Sequence, residues 1–247
     1  MNNVIKSFFE MAKERGDSPC AHFKHEGKWR TISWFKMADR VKRLAAYLKK
    51  QGIQKGDRIV ILAKTSLDWT IADCAILACG AICVPIYTSL TKDAVEKIIK
   101  DALPVLAFVG SDNRFSLSVR TISFHDVSNL ISISPEEIED VEKMVDSLLP
   151  NDVATYVYTS GTTGEQKGVT LTHKNLYAEI LAAIDAFRFL PDEIGLMCLP
   201  FAHVLGRMIQ FYQLSVGCQS AYAESIERLA SNYLEVRPHF VCGVPRM

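Results

Sequence analysis

The sequence predicts an α/β fold with mostly parallel sheets covered by helices. Three observations carry that expectation. Short apolar runs recur around residues 57–63, 82–87, 105–109, 153–158 and 194–199. These runs are continuous rather than alternating, the pattern of strands buried on both faces of a parallel sheet. Stretches of helical length separate them, giving the β–α rhythm of βαβ units with right-handed crossovers.

Taken in order, Val4, Ile5, Phe8, Phe9 and Ala12 fall on one helical face. That face suits an opening helix packed on its own domain better than a membrane anchor. Residues 21–32 read as a hairpin turning at Glu26-Gly27. Ser33 can cap a helix running to about Gln51, with Phe35, Ala38, Val41, Leu44, Ala45 and Leu48 inward and Gly52 at its end. Next comes a strand over 57–63, a helix over 68–80, a strand over 82–87 and a helix from Thr91 to about Asp101. Pro104 blocks the start of a strand at 105–109. Residues 111–134 are less regular, with one strand near 121–124. Residues 135–149 form an acidic amphipathic helix capped by Ser134. Its Glu136, Glu137, Glu139, Asp140 and Glu142 suit a solvated face at a helix N-terminus rather than a metal site. This segment is the expected join between a first α/β unit, 1–134, and a second, 135–247. A strand at 153–158, a helix at 173–188, a strand at 194–199 and a helix at 205–215 follow. A strand at 219–222, a helix at 225–236 and a strand at 239–241 complete the chain. No repeat of fixed period is evident.

The chain has 247 residues, with 28 basic and 28 acidic side chains. A balanced charge gives no global field toward nucleic acid. Small molecules and proteins are the expected partners, with room for homo-oligomers. The 7 cysteines lack Cys-x-x-Cys spacing, and most sit in apolar runs. They read as buried thiols in a reducing compartment, so a cytoplasmic location is expected. The amino terminus lacks a signal-peptide pattern. The longest apolar stretch, 71–87, contains Asp73, Gly80 and Pro85 and reads as helix then strand, not a membrane span. Peripheral contact with a membrane face stays open.

The chemistry concentrates at residues 156–175. Four hydroxyls (Thr159, Ser160, Thr162 and Thr163), the glycines Gly161, Gly164 and Gly168, and Lys167 lie within ten residues after a strand. Glycines let the backbone approach a ligand closely. Hydroxyls and exposed N–H groups can form an anion-binding concavity, and the lysine adds a point charge. Such a loop reads as a polyphosphate cradle. A plain flexible connection is the bland alternative. The Walker P-loop spacing fails, because Gln166 precedes Lys167 and Gly168 follows it. A second constellation, Leu199-Pro-Phe-Ala-His-Val-Leu-Gly-Arg207, begins at a strand end, where open α/β sheets hold ligands.

The wording Tyr-Thr-Ser-Gly-Thr-Thr-Gly-x-x-Lys-Gly-Val, then Leu-Thr-His-Lys-Asn, resembles the phosphate-loop signature of the adenylate-forming (AMP-binding) superfamily. Gln166 stands where the family usually has proline. The Ala-His-Val-x-x-Arg stretch and Val241-Cys-Gly-Val-Pro-Arg246 resemble long-chain acyl-CoA synthetases, and so do Gly56-Asp-Arg-Ile and Gly80-Ala-Ile-Cys-Val-Pro-Ile-Tyr87. The resemblance covers essentially the whole chain. It implies layered αβαβα subdomains and activation of a fatty acid by ATP and Mg²⁺ through acyl-AMP to acyl-CoA. By the same resemblance, Thr159, Ser160, Gly161, Thr162, Thr163, Gly164 and Lys167 bind the ATP phosphates. Lys167 and His203 are the catalytic residues, and Thr159 helps hold Mg²⁺. His203, Gly243, Val244 and Pro245 border the acyl site. Family members run considerably longer, and their later Tyr-Gly-x-Thr-Glu segment, ribose-binding aspartate and lysine-bearing C-terminal domain do not occur in the sequence. The expectation is therefore an N-terminal fragment, inactive alone in thioester formation. A non-catalytic nucleotide- or acyl-binding module and another acid-adenylating enzyme, such as a fatty-acyl-AMP ligase, are the alternatives.

Overall fold

The apolar runs form strands as expected, but the chain deals them into two sheets. A computed structural model describes residues 3–111, 113, 115–124, 134–160 and 166–244. It opens with α1 (Val4–Arg15), whose Val4, Ile5, Phe8 and Ala12 are buried. The hairpin β1 (Pro19–His25) and β2 (Lys28–Ser33) turns at Glu26 and Gly27, with φ of 51° and 73°. Positive φ at both turn residues matches the right-handed twist of the strands. Ser33 caps α2 (Trp34–Lys50), its side chain accepting from the Lys36 N–H. Trp34 is buried in this helix while Phe35 is 63% exposed, which corrects the expected inward Phe35. One residue is a step of about 100° round a helix, enough to carry Phe35 off the apolar face.

The α/β rounds follow as β3 (Arg58–Leu62), α3 (Leu67–Ala78), β4 (Ile82–Ile86), α4 (Lys92–Ala102), β5 (Leu106–Val109) and β6 (Thr121–Ser123). Then come α5 (Pro135–Asp146), β7 (Val153–Ser160), β8 (Gln166–Thr172) and α6 (His173–Phe187). The last elements are β9 (Ile194–Met197), α7 (Val204–Val216), β10 (Gln219–Tyr222), α8 (Leu229–Val236) and β11 (Phe240–Val241). Ser134 and Glu137 form a capping box at the start of α5, and each supplies a bond that the first turn of a helix lacks.

One sheet runs β11-β9-β10-β1-β2 and the other β6-β5-β3-β4-β7-β8. Among the described residues, only the pairs β1/β2 and β7/β8 are antiparallel. The first sheet joins the start of the chain to its end, with Ala21 beside Ser220. Each sheet thus takes strands from both sides of residue 134, and the segments 1–134 and 135–247 do not correspond to one sheet apiece.

Alternate residues of β3 separate two cores. Ile59 and Ile61 join a large cluster that also holds Cys20, Ala21, Met197 and Tyr222 of the other sheet. Val60 and Leu62 face the opposite way, onto Val95, Ile98 and Ile99 of α4. Every residue of α3 except Asp68 in its first turn is buried, as expected for a helix that is apolar nearly all round and lies inside the structure. The result is a mixed α/β architecture of parallel sheets flanked by helices.

That central position leaves Asp73 of α3 with no exposure to solvent, and it is answered by Arg207 of α7. The guanidinium grips it with Nε–Oδ2 at 2.8 Å and Nη2–Oδ1 at 2.5 Å. Its Nη1 donates to Thr155 Oγ1 of β7 at 2.6 Å, and that hydroxyl donates to the Cys83 carbonyl at 2.7 Å. A buried charge is tolerated only when paired and hydrogen-bonded. This network joins α3 and α7 to strands of the second sheet.

Candidate active site

The structure changes one local reading of the 156–175 stretch. The sequence predicts a strand, a loop and then a helix. Instead the chain returns along itself as β8, antiparallel to β7, before α6 begins. Thr159 therefore lies opposite Lys167, Ser160 opposite Gln166 and Tyr158 opposite Gly168. Thr159 and Lys167 are both exposed, and the Lys167 side chain makes no hydrogen bond or ion pair among the described residues. An exposed ammonium beside an exposed hydroxyl is an arrangement suited to an anionic ligand. Gly161, Thr162, Thr163 and Gly164 lie outside the described residues, as do the side chain of Ser160 and all of Pro245.

Gly168 has a packing reason of its own. A Cβ there would lie 3.0 Å from the Tyr158 ring. Tyr158 is buried and donates from its hydroxyl to Asp101 Oδ2 at 2.5 Å. Burial, then the nearby Asp101 carboxylate, pushes the phenol's pKa upward. It stays a neutral donor that anchors the strand pair to α4.

Strand β7 runs parallel to β4, so its exit at Ser160 emerges on the edge where β4 delivers Tyr87. A cavity of about 300 Å³ opens at that edge, lined by Tyr87, Thr88 and Ser89 after β4 and by Met197, Cys198 and Ala202 from the other sheet. Ligands of open α/β sheets bind at carboxyl ends of strands. Thr65 ties the two walls together: its hydroxyl donates to the Leu199 carbonyl at 2.8 Å and accepts from the Phe201 N–H at 3.0 Å. Sequence reasoning missed Thr65, which has no local signature.

His203 follows the cavity-lining Ala202 and is exposed. It is also the N-cap of α7, with Nδ1 accepting from the Leu205 N–H at 3.1 Å. That bond fixes the neutral ring with Nε2 as its N–H side. Gly206 lets α7 sit close against the Pro200 turn: a Cβ would lie 2.7 Å from the Pro200 carbonyl. Gly206→Ala should push the helix and its capping histidine outward, costing about 1–3 kcal/mol of stability as overpacking does. A thermal unfolding curve checks it; an unchanged midpoint would count against the close fit. Gly243 and Val244 are exposed just past β11. Cys198 Sγ approaches the Cys242 carbonyl at 3.5 Å, so the residue before that segment touches a cavity-lining side chain.

The sequence profile described as AMP-binding enzyme matches residues 8–247. The chain belongs to the AMP-binding enzyme family. Among its AMP-binding relatives, the long-chain-fatty-acid–CoA ligase FadD15 of Mycobacterium bovis is 30% identical over 264 residues, covering 100% of this chain and 44% of the relative. Fatty acyl-CoA synthetase A of Dictyostelium discoideum is 28% identical, covering 90% of this chain and 37% of the relative. The chain thus spans less than half the length of these curated relatives. Solved structures share the fold. The inhibitor-bound N-terminal domain of FACL13 from Mycobacterium tuberculosis superposes with a TM-score of 0.80 at 20% identity, over 100% of this chain and 64% of that one. The fatty acid AMP ligase of Legionella pneumophila gives 0.76 at 23% identity, over 95% of this chain and 41% of that one.

Proposed function

We propose that this chain supplies the phosphate-binding and acyl-facing part of a ligase that activates long-chain fatty acids. The carboxylate attacks the α-phosphorus of ATP, forming acyl-AMP and releasing pyrophosphate. The thiol of CoA then attacks the acyl carbon and AMP leaves. The observation that carries the reading is the Thr159–Lys167 pairing at the turn end of the β7/β8 hairpin, on the sheet edge where the cavity opens.

In this reading Lys167 offsets the charge of the ATP phosphates and the loop 160–164 wraps them. Fixed charges of this kind favour the transition state when they are positioned beforehand. His203, held by its own cap bond, borders the acid, and residues 243–245 complete that wall. No group of three carboxylate, histidine or cysteine side chains among the described residues is placed to hold a metal. Mg²⁺ commonly takes its oxygens from phosphates and water with few protein ligands. Thr159 fits as one such hydroxyl, and Mg²⁺ there would offset phosphate charge. Because the chain covers 44% of FadD15, thioester formation is proposed to need more polypeptide than these residues. No helix among the described residues is long and apolar enough to cross a membrane. Cytoplasmic residence, contact with a membrane face and self-association are proposals that rest on the sequence.

Pyrophosphate release from Mg·ATP with a panel of fatty acids tests the reading. Lys167→Ala should slow release by about tenfold to a hundredfold through lost charge stabilisation. The fold should be untouched, because the side chain is exposed. Unchanged release, with every acid in the panel, would remove the assigned role.

A further inference from the structure

A second cavity, larger than the one beside His203, measures about 660 Å³. It opens at the carboxyl ends of β3 and β5, between Ala63-Lys64 and Gly110-Ser111. That position has a topological meaning. In the order β6-β5-β3-β4, the chain leaves β3 toward β4 on one side, and later leaves β5 toward β6 on the other. Neighbouring strands whose exits diverge open a crevice between them, and open α/β sheets bind ligands there.

Basic side chains outnumber acidic ones on the walls. His25, Arg30, Arg40 and Lys64 line the cavity, and Asp68 is the acid among its described lining residues. They come from different places, His25 ending β1, Arg30 within β2, Arg40 within α2 and Lys64 following β3. Arg30 and Arg40 are exposed, and Arg40 acts through its charge on the nearby Asp68, opposing the upward push of burial on that carboxyl. Cations gathered around one concavity repel each other and raise the local concentration of anions. Phe23 and Phe124 add aromatic surface to the same walls. The volume is that of a small-molecule site rather than of a lone ion.

We propose that this crevice is a second binding site, for a phosphorylated organic anion of nucleotide size, held by Arg30 and Arg40 through its phosphates. Guanidinium groups suit this task because they bind phosphate oxygens in pairs. The site is separate from the Thr159–Lys167 pair. It therefore stands or falls independently of the function proposed above.

The test is calorimetric titration of the protein with adenosine 5′-diphosphate. The wild type should show binding that survives Lys167→Ala. Arg30→Glu with Arg40→Glu should weaken that surviving binding by roughly 30-fold or more, the effect of reversing charges that contact an ionic ligand. Arg30→Gln with Arg40→Gln should act in the same direction, and serves if the reversals disturb folding. Binding abolished by Lys167→Ala and untouched by either arginine pair would overturn the second site while leaving the phosphate-loop reading intact. No binding to the wild type at millimolar ligand would overturn it too.

Discussion

Arg207→Met should destabilise the protein by about 3–5 kcal/mol, the effect of leaving a buried carboxylate without its partner. Asp73 is fully buried and Arg207 only 2% exposed. Solvent cannot reach Asp73 to replace the lost guanidinium. Methionine fills much of the arginine volume, so the measured loss reports the charge rather than a cavity. The loss of the Thr155 hydrogen bond adds to it, because β7 is then released from α7. The decisive comparison is the double variant Arg207→Met, Asp73→Leu. Removing both charges should recover most of the stability, since well-packed apolar residues often replace a buried ion pair without cost. Urea unfolding of the three proteins checks this. A double variant as unstable as the single one would show that the pair stabilises by packing and hydrogen bonding rather than by answering a charge. The aromatic neighbours sharpen the point, with the guanidinium carbon 5.3 Å from the Phe211 ring centre and 6.0 Å from Trp69. Both rings favour a cation in that position.

The strands of the parallel sheets were legible because continuous apolar runs admit few other readings. The runs at 82–87 and 105–109 became β4 and β5 within a residue or so. Caps were legible for a local reason, since Ser33, Thr91 and Ser134 each bond the N–H of a residue just inside their helix. What stayed hidden is non-local or lacks a hydrophobic period. Strand β8 is exposed over Lys167 to Thr170, including Val169 at 46%. No alternation marks it, and only pairing with β7 makes it a strand. Helix α8 begins at Leu229 rather than at residue 225. The division of strands between two sheets rests on pairings such as Ala21 with Ser220. No local pattern encodes them. Asp73 counted in the sequence only against a membrane span; that Arg207 answers it inside the core is a property of the fold. For the candidate site, the sequence names Thr159, Lys167 and His203 as expectations. That the first two face each other across a hairpin follows only from β8. That His203 also caps its helix follows only from the position of α7.

Acid should weaken this same core through His173. The side chain is fully buried, and both ring nitrogens lack a hydrogen-bond partner among the described residues. Burial lowers its pKa from 6.5 to about 4, and the neighbouring Arg207 and Lys55 charges act in the same direction. Asp152 opposes them, but it is already paired with Lys55 at 2.6 Å. The folded pKa lies below the unfolded one, so the unfolded chain takes up the proton first. Stability from the neutral ring is therefore complete above pH 6.5 and declines as pH falls toward 4. The slope is about 1.4 kcal/mol per pH unit and the total roughly 3 kcal/mol. Depressed carboxylates such as Glu137, Asp140 and Glu224 lose their contribution lower on the scale, so the upper part of the window isolates the histidine. His173→Phe keeps an aromatic ring of similar size and removes the proton site. Its unfolding free energy should stay nearly level between pH 6.5 and 5, where the wild type declines; parallel curves would exclude His173 as the cause. The location gives the effect a target. His173 opens α6 directly after β8, and its N–H donates to the Asp152 carbonyl at 3.0 Å, at the root of β7. A proton forced onto this ring strains the base of the hairpin whose far end pairs Thr159 with Lys167, so phosphate binding should weaken in acid before the sheets separate.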